Sequence, residues 1–196
     1  MTTIDSDAQT VLDFWFGAAG STEYGRLRAE WFRKDDAFDA QIARQFGAQV
    51  DAALAGGLTD WAAEPHGALA RIVVLDQFTR NTLRNTARAF AGDALALAAA
   101  QAMLASAQDQ ALQPVQRVFM ALPFEHSEDL AMQEQSVRLF TALAAEAPAL
   151  GGYLDYAQRH HAVVARFGRF PHRNEVLGRA STAEELAFLQ EPGLRF

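Results

Sequence analysis

Arg71-Ile-Val-Val-Leu-Asp-Gln-Phe-Thr-Arg-Asn81 is the stretch on which the fold class turns. Three consecutive β-branched residues, Ile72 to Val74, suit a buried strand. The wider spacing argues for a helix instead. Leu69, Ile72, Val73, Asp76 and Arg80 recur at i, i+3, i+4, i+7 and i+11, one face of a 3.6-residue period, and Pro65 suits the first turn. With this segment helical, convincing strand signals are nearly absent from the chain.

Helix signals recur on both sides of it. The spacing predicts helices from about Ala8 to Phe16, capped by Ser6 or Asp7 and stopped by Gly17, and from Asp36 to Leu54. In the second of these Phe38, Ile42, Phe46 and Val50 form one stripe. Asp93 caps a helix from Ala94 to about Gln108, Pro114 starts one that ends near Leu122-Pro123, and Ser127 caps the next, with Met132, Ser136, Leu139, Phe140 and Leu143 as its buried stripe. Tyr153 to Phe167 is closed by Gly168, and Ser181-x-x-Glu184 is a capping box for a last short helix to Leu189. The connections are short, which predicts antiparallel helical hairpins of about eight helices, in a single all-α domain over residues 1–196.

Composition supports this class and narrows the functions. The chain is alanine-rich and half hydrophobic, enough for a sizeable core in 196 residues. Its net charge of −7 argues against nucleic acid and against an anionic membrane surface, which need a broad basic face. With no cysteine, thiolate catalysis and Cys-ligated zinc are excluded. The N-terminal residues lack the pattern of a secretory signal and Ala94–Ala107 is too short for a bilayer span, so a cytoplasmic setting is expected.

Four strings, Val11-Leu-Asp-Phe-Trp-Phe-Gly17, Leu75-Asp-Gln-Phe-Thr-Arg-Asn81, Leu122-Pro-Phe-Glu-His-Ser-Glu-Asp129 and Phe167-Gly-Arg-Phe-Pro-His-Arg-Asn174, occur together. On these the chain resembles the bacterial domain-of-unknown-function family 924, placed in the tetratricopeptide-repeat-like helical superfamily. The resemblance spans nearly the whole chain and implies a TPR-like array of helical hairpins; it implies no activity. The family commonly has Pro where this chain has Thr79 and Gly where it has Asn85, and Asn tolerates the left-handed conformation that Gly would supply.

The polar residues concentrate near the C-terminus. Between Arg159 and Arg179 stand five Arg, three His and one Glu, a net +4 inside the acidic chain. Arg beside Phe, Gly and Pro suits a fixed anion or carboxylate site, because the guanidinium offers a planar fork of donors and stacks on rings. His160 and His161 both face inward or nearly so, about 100 degrees apart, and cannot chelate one metal as an i, i+4 pair would. Asp76 extends an apolar stripe and needs partners, either in an ion pair with Arg80 or as the wall of a site. Leu122–Asp129 either presents Glu125 and His126 to a ligand or docks onto the arginine-rich segment. Trp15, Trp31 and Trp61 read as core anchors.

Two functions follow. In the first, a small anionic metabolite is bound or transformed, with Asp76, His160 and His172 as candidate catalytic residues and Arg80, Asn81, Glu125, His126, His161, Arg169, Arg173 and Asn174 as candidate ligand-binding residues. In the second, the hairpins form a groove for a protein or peptide partner, without catalysis. No motif implies a cofactor, and His126, Asp129, His161 and His172 have no spacing that fixes a metal.

Overall fold

Ile72 to Val74 are helical in the computed structural model of this chain, which describes residues 3–191. α3 (Pro65–Val73) runs without a break into a π-helical segment, Val74–Phe78, and then into the single turn α4 (Thr79–Thr82). A π turn closes i→i+5 bonds and disturbs the regular carbonyl ladder. Side chains take up the affected carbonyls: Thr79 Oγ1 donates to Leu75 O at 2.8 Å, Arg80 Nη1 to Asp76 O at 2.7 Å and Thr82 Oγ1 to Phe78 O at 2.7 Å. All of Val74–Phe78 is buried, where an unserved carbonyl would cost on the order of 1–3 kcal/mol.

The described residues are all-α, with no strand among them. No helix among them is long and apolar enough to cross a membrane. They form two compact units, one running to Arg84 and resuming over Arg88–Pro123, the other holding Asn85–Ala87 and the residues from Phe124 on.

The first unit is built from α1 (Ser6–Phe16), α2 (Asp36–Leu54), α3, the π segment, α4, α5 (Asp93–Ala105) and most of α6 (Pro114–Glu125). α1 starts two residues earlier than expected, because Asp5 is the residue whose carboxylate accepts from Asp7 N and Ala8 N. Aromatic edges and faces hold the core together: Trp15 stacks on Trp31 at 6.1 Å and meets the edges of Phe78 and Phe119 at 5.4 and 5.6 Å. Trp15, Trp31 and Trp61 are all buried, as core anchors should be. Asp93 is not a side-chain cap; Gly92 occupies the N-cap of α5, and Asp93 turns to Arg80.

In the second unit α7 (Leu130–Glu146) begins after Asp129, whose carboxylate caps it through Ala131 N and Met132 N, while Ser127 Oγ accepts from Asp129 N. α6 continues through Pro123 to Glu125 instead of stopping there. α7 packs on α8 (Gly151–Phe167), with Phe140 stacked on Tyr153 at 6.3 Å. Gly168 ends α8 in the left-handed conformation, and Asn85 adopts the same region at φ +61°. The capping box of α9 (Ala183–Phe188) is Thr182 with Glu185, one residue later than the sequence suggests.

A Cβ on Gly92 would run into the backbone carbonyl of Leu75, although the φ of −85° at Gly92 suits any residue. The close approach of α5 to the π segment therefore depends on glycine for space alone. Gly92→Ala is expected to lower unfolding stability by about 2 kcal/mol through overpacking, measured by urea denaturation; an unchanged midpoint would show that the π segment is not held by this contact.

Candidate functional site

His160 lies on the buried face of α8 with Ala157, Val163 and Val164. Its Nδ1 stands 2.9 Å from Tyr156 O, one turn back, and 3.2 Å from Glu125 Oε1 at the end of α6. A carbonyl oxygen can only accept, so Nδ1 carries the proton and Nε2 is the basic nitrogen of the neutral ring. Burial, with His126 beside the ring, pushes the imidazole down to about 3; the bond to Tyr156 O opposes this, and His172 and Arg173 add to the lowering. His160 is therefore uncharged at neutral pH.

The surroundings are fixed by side chains drawn from three places. Gln133, fully buried on α7, donates Nε2 to Glu125 O and Ser127 O, both at 2.6 Å, and so pins the turn that carries Glu125 and His126. Pro171–Arg173 forms a tight turn after the extended Phe170. Phe170 is fully buried and meets the rings of His160 at 5.4 Å and His172 at 5.6 Å, while the Arg173 guanidinium lies 4.5 Å from its centroid. His126 and His160 are 6.3 Å apart. Glu125, His126, His160, His172 and Arg173 thus form one cluster around two buried rings.

Three other arginines of the basic segment are matched to carboxylates outside it, whereas Arg159 lies over the Tyr156 ring. Arg169 binds Glu185 through Nε at 2.6 Å and Nη2 at 2.8 Å, and also donates to Ala180 O. Arg179 grips Glu128 with both Nη atoms and reaches Phe170 O, and Phe170 N donates a third hydrogen bond to Glu128. Arg166 pairs with Glu184 at the surface. Asn174 Nδ2 donates to Ser181 and Glu185. The Arg169 hydrogen bond, opposed by burial and helped by Thr182 N, holds Glu185 down at about 2. The acidic segment therefore docks onto the basic one through Glu128, while Glu125 turns to His160.

His161 points elsewhere, into a shallow groove with Glu134, Val137, Arg138 and Gln158. In the first unit Asp76 is fully buried, its Oδ1 3.1 Å from Arg80 Nη1 and its Oδ2 accepting from Gln77 Nε2 at 2.6 Å. Arg80 also reaches Asp93 at 3.0 Å. Burial works against its charge, and Asp76 with Asp93 more than offset that. Asn81 donates to Asp39, which Arg84 binds as well. Among the described residues no three His, Cys, Asp or Glu side chains are placed to hold a metal ion. Gln133 went unread in the sequence although it shares a face with Ser136, Phe140 and Leu143, a position where a polar residue signals a buried task.

The chain matches the model of a family of bacterial proteins of unknown function, DUF924, over residues 11–193, and it belongs to that family. It is also similar to a solved structure of a protein of unknown function from Agrobacterium tumefaciens, 38% identical, covering 93% of this chain and 96% of that one, with a TM-score of 0.81. No curated protein matches it.

The depressed imidazole makes a sign-specific prediction. Because the folded value of about 3 lies below the ordinary 6.5, the unfolded chain binds the extra proton between those limits, so this contribution is complete above pH 6.5 and is lost as pH falls. His160→Asn should flatten the stability profile between pH 6.5 and 4.5, where the wild type loses up to about 1.4 kcal/mol per pH unit more than the variant. Parallel profiles in urea melts followed by circular dichroism would mean that the ring is protonated in the native state.

Proposed function

We propose that this family member binds a small anionic metabolite at the His160 cluster of the second unit. His160 Nε2, kept unprotonated, accepts a hydrogen bond from a ligand hydroxyl, Glu125 and the Tyr156 carbonyl orient the ring, and Arg173, His126 and His172 supply the positive surroundings that an anion needs. Arg169 and Asn174 act through Glu185, holding the turn that presents His172 and Arg173. The observation that carries this reading is the neutral imidazole with its Nδ1 proton committed to a carbonyl and a carboxyl, ringed by three groups that can be cationic. A histidine kept only for packing has no need of a carboxyl behind it and positive partners in front.

Access comes from His126 and His172, both partly exposed, while His160 and Arg173 stay buried. The ligand is accordingly a compact carboxylate or phosphate monoester. A thermal-shift panel of such compounds should contain at least one that raises the melting temperature of the wild type by a few degrees. The gain should disappear in Arg173→Gln and shrink in His172→Ala, with helical circular dichroism retained. If no member stabilises the wild type, or if the gain survives both replacements, the cluster is a structural lace and this reading is wrong.

A further inference from the structure

We propose that the first unit carries a separate ligand site, independent of the second-unit reading, for a small organic ammonium compound bearing an oxygen acceptor. The site is a cleft of about 330 Å³ lined by α1, the loop that follows it, the start of α3 and the first turn of α6. Leu12 and Phe16 give it buried apolar walls, and Tyr24 adds a second ring on the loop. Its charge is one-sided: Asp13 and Glu64 line it, and no Lys or Arg does.

Neither carboxylate is committed to a cation. The hydrogen bond to Asp13 comes from the neutral amide of Gln9, whose Nε2 donates to Oδ1 at 2.7 Å and orients the group. Glu64 occupies the N-cap of α3 but makes no side-chain capping bond, so its carboxylate is not spent on the helix end. His66, on the first turn of α3, is the remaining ionisable side chain of the cleft apart from Tyr24. Two uncompensated carboxylates beside aromatic and aliphatic walls favour a cation with an apolar body, since ring faces and carboxylates both attract an ammonium group.

Gln116 supplies the second requirement. It is only 2% exposed; its Oε1 accepts from Gln113 N at 2.9 Å, and its Nε2 makes no hydrogen bond among the described residues. This amide donor opens onto the cleft, where an acceptor brought in from outside, a hydroxyl or carbonyl oxygen of the ligand, can take the place of water. The recognised class is therefore an amine with a short apolar body and one such oxygen, an amino alcohol or a related compound.

Isothermal titration of the full chain with phenylalaninol, and with 3-phenyl-1-propanol as the same skeleton lacking the amine, tests this. Phenylalaninol should bind one to one and about tenfold more tightly than the alcohol, and Asp13→Asn and Glu64→Gln should each weaken it by about tenfold, the loss expected for one charge-assisted hydrogen bond. Both positions are half-exposed, so thermal melts of the variants should match the wild type. Absence of phenylalaninol binding at millimolar concentration, equal binding of the neutral alcohol, or wild-type affinity in both variants overturns the proposal.

Discussion

The second unit depends on where one proton sits. With the Nδ1 proton of His160 directed at Tyr156 O beside the Glu125 carboxyl, the ring has a single orientation and a single basic nitrogen. Everything nearby serves that placement: Gln133 holds the turn that delivers Glu125, and Phe170 fills the space beside the imidazole. The two 2.6 Å bonds from Gln133 Nε2 fix the turn, while Gln133 Oε1 on the same amide is buried with no hydrogen-bond partner among the described residues.

Charge is sorted around this cluster with little left to chance. Of the basic segment, Arg166, Arg169 and Arg179 are taken by Glu184, Glu185 and Glu128, which lie outside it. Arg173 is treated differently, buried at 6% exposure with its guanidinium against Phe170. Arginine suits that place because its weakly hydrated plane can stack on a ring while its edge donates. Three of the five arginines behind the segment's net +4 are thus held in ion pairs, Arg159 lies over Tyr156, and Arg173 is set against Phe170.

Helix identity was readable because period and punctuation agreed, as in α2, whose observed bounds Asp36–Leu54 match the expected ones. Boundaries drifted where several cap-competent residues stand in a row: Asp5, Ser6 and Asp7 before α1, Ser127 to Asp129 before α7, and Ser181 with Thr182 before α9. In each the winner is set by which backbone is extended, something a list of residue types does not carry. The π segment at Val74–Phe78 was invisible for another reason. Its Asp76 and Arg80 keep the i, i+4 spacing of an ordinary helix, and only the hydroxyls of Thr79 and Thr82, bonding back to Leu75 O and Phe78 O, hint that the ladder is disturbed. The polar residues near His160 were readable by chemical type as candidates; their allocation between frame and cluster rests on long-range pairs such as Arg179 with Glu128, which no local pattern encodes.

The state of the His160 ring tests the account most directly. Nitrogen-detected NMR of the histidine side chains, followed from pH 7 down to pH 4, should show one imidazole that stays neutral throughout with its proton on Nδ1, in keeping with a value pushed down to about 3. Assignment through His160→Asn identifies it. A His160 signal that titrates near 6.5, or a neutral ring protonated on Nε2, would contradict the account.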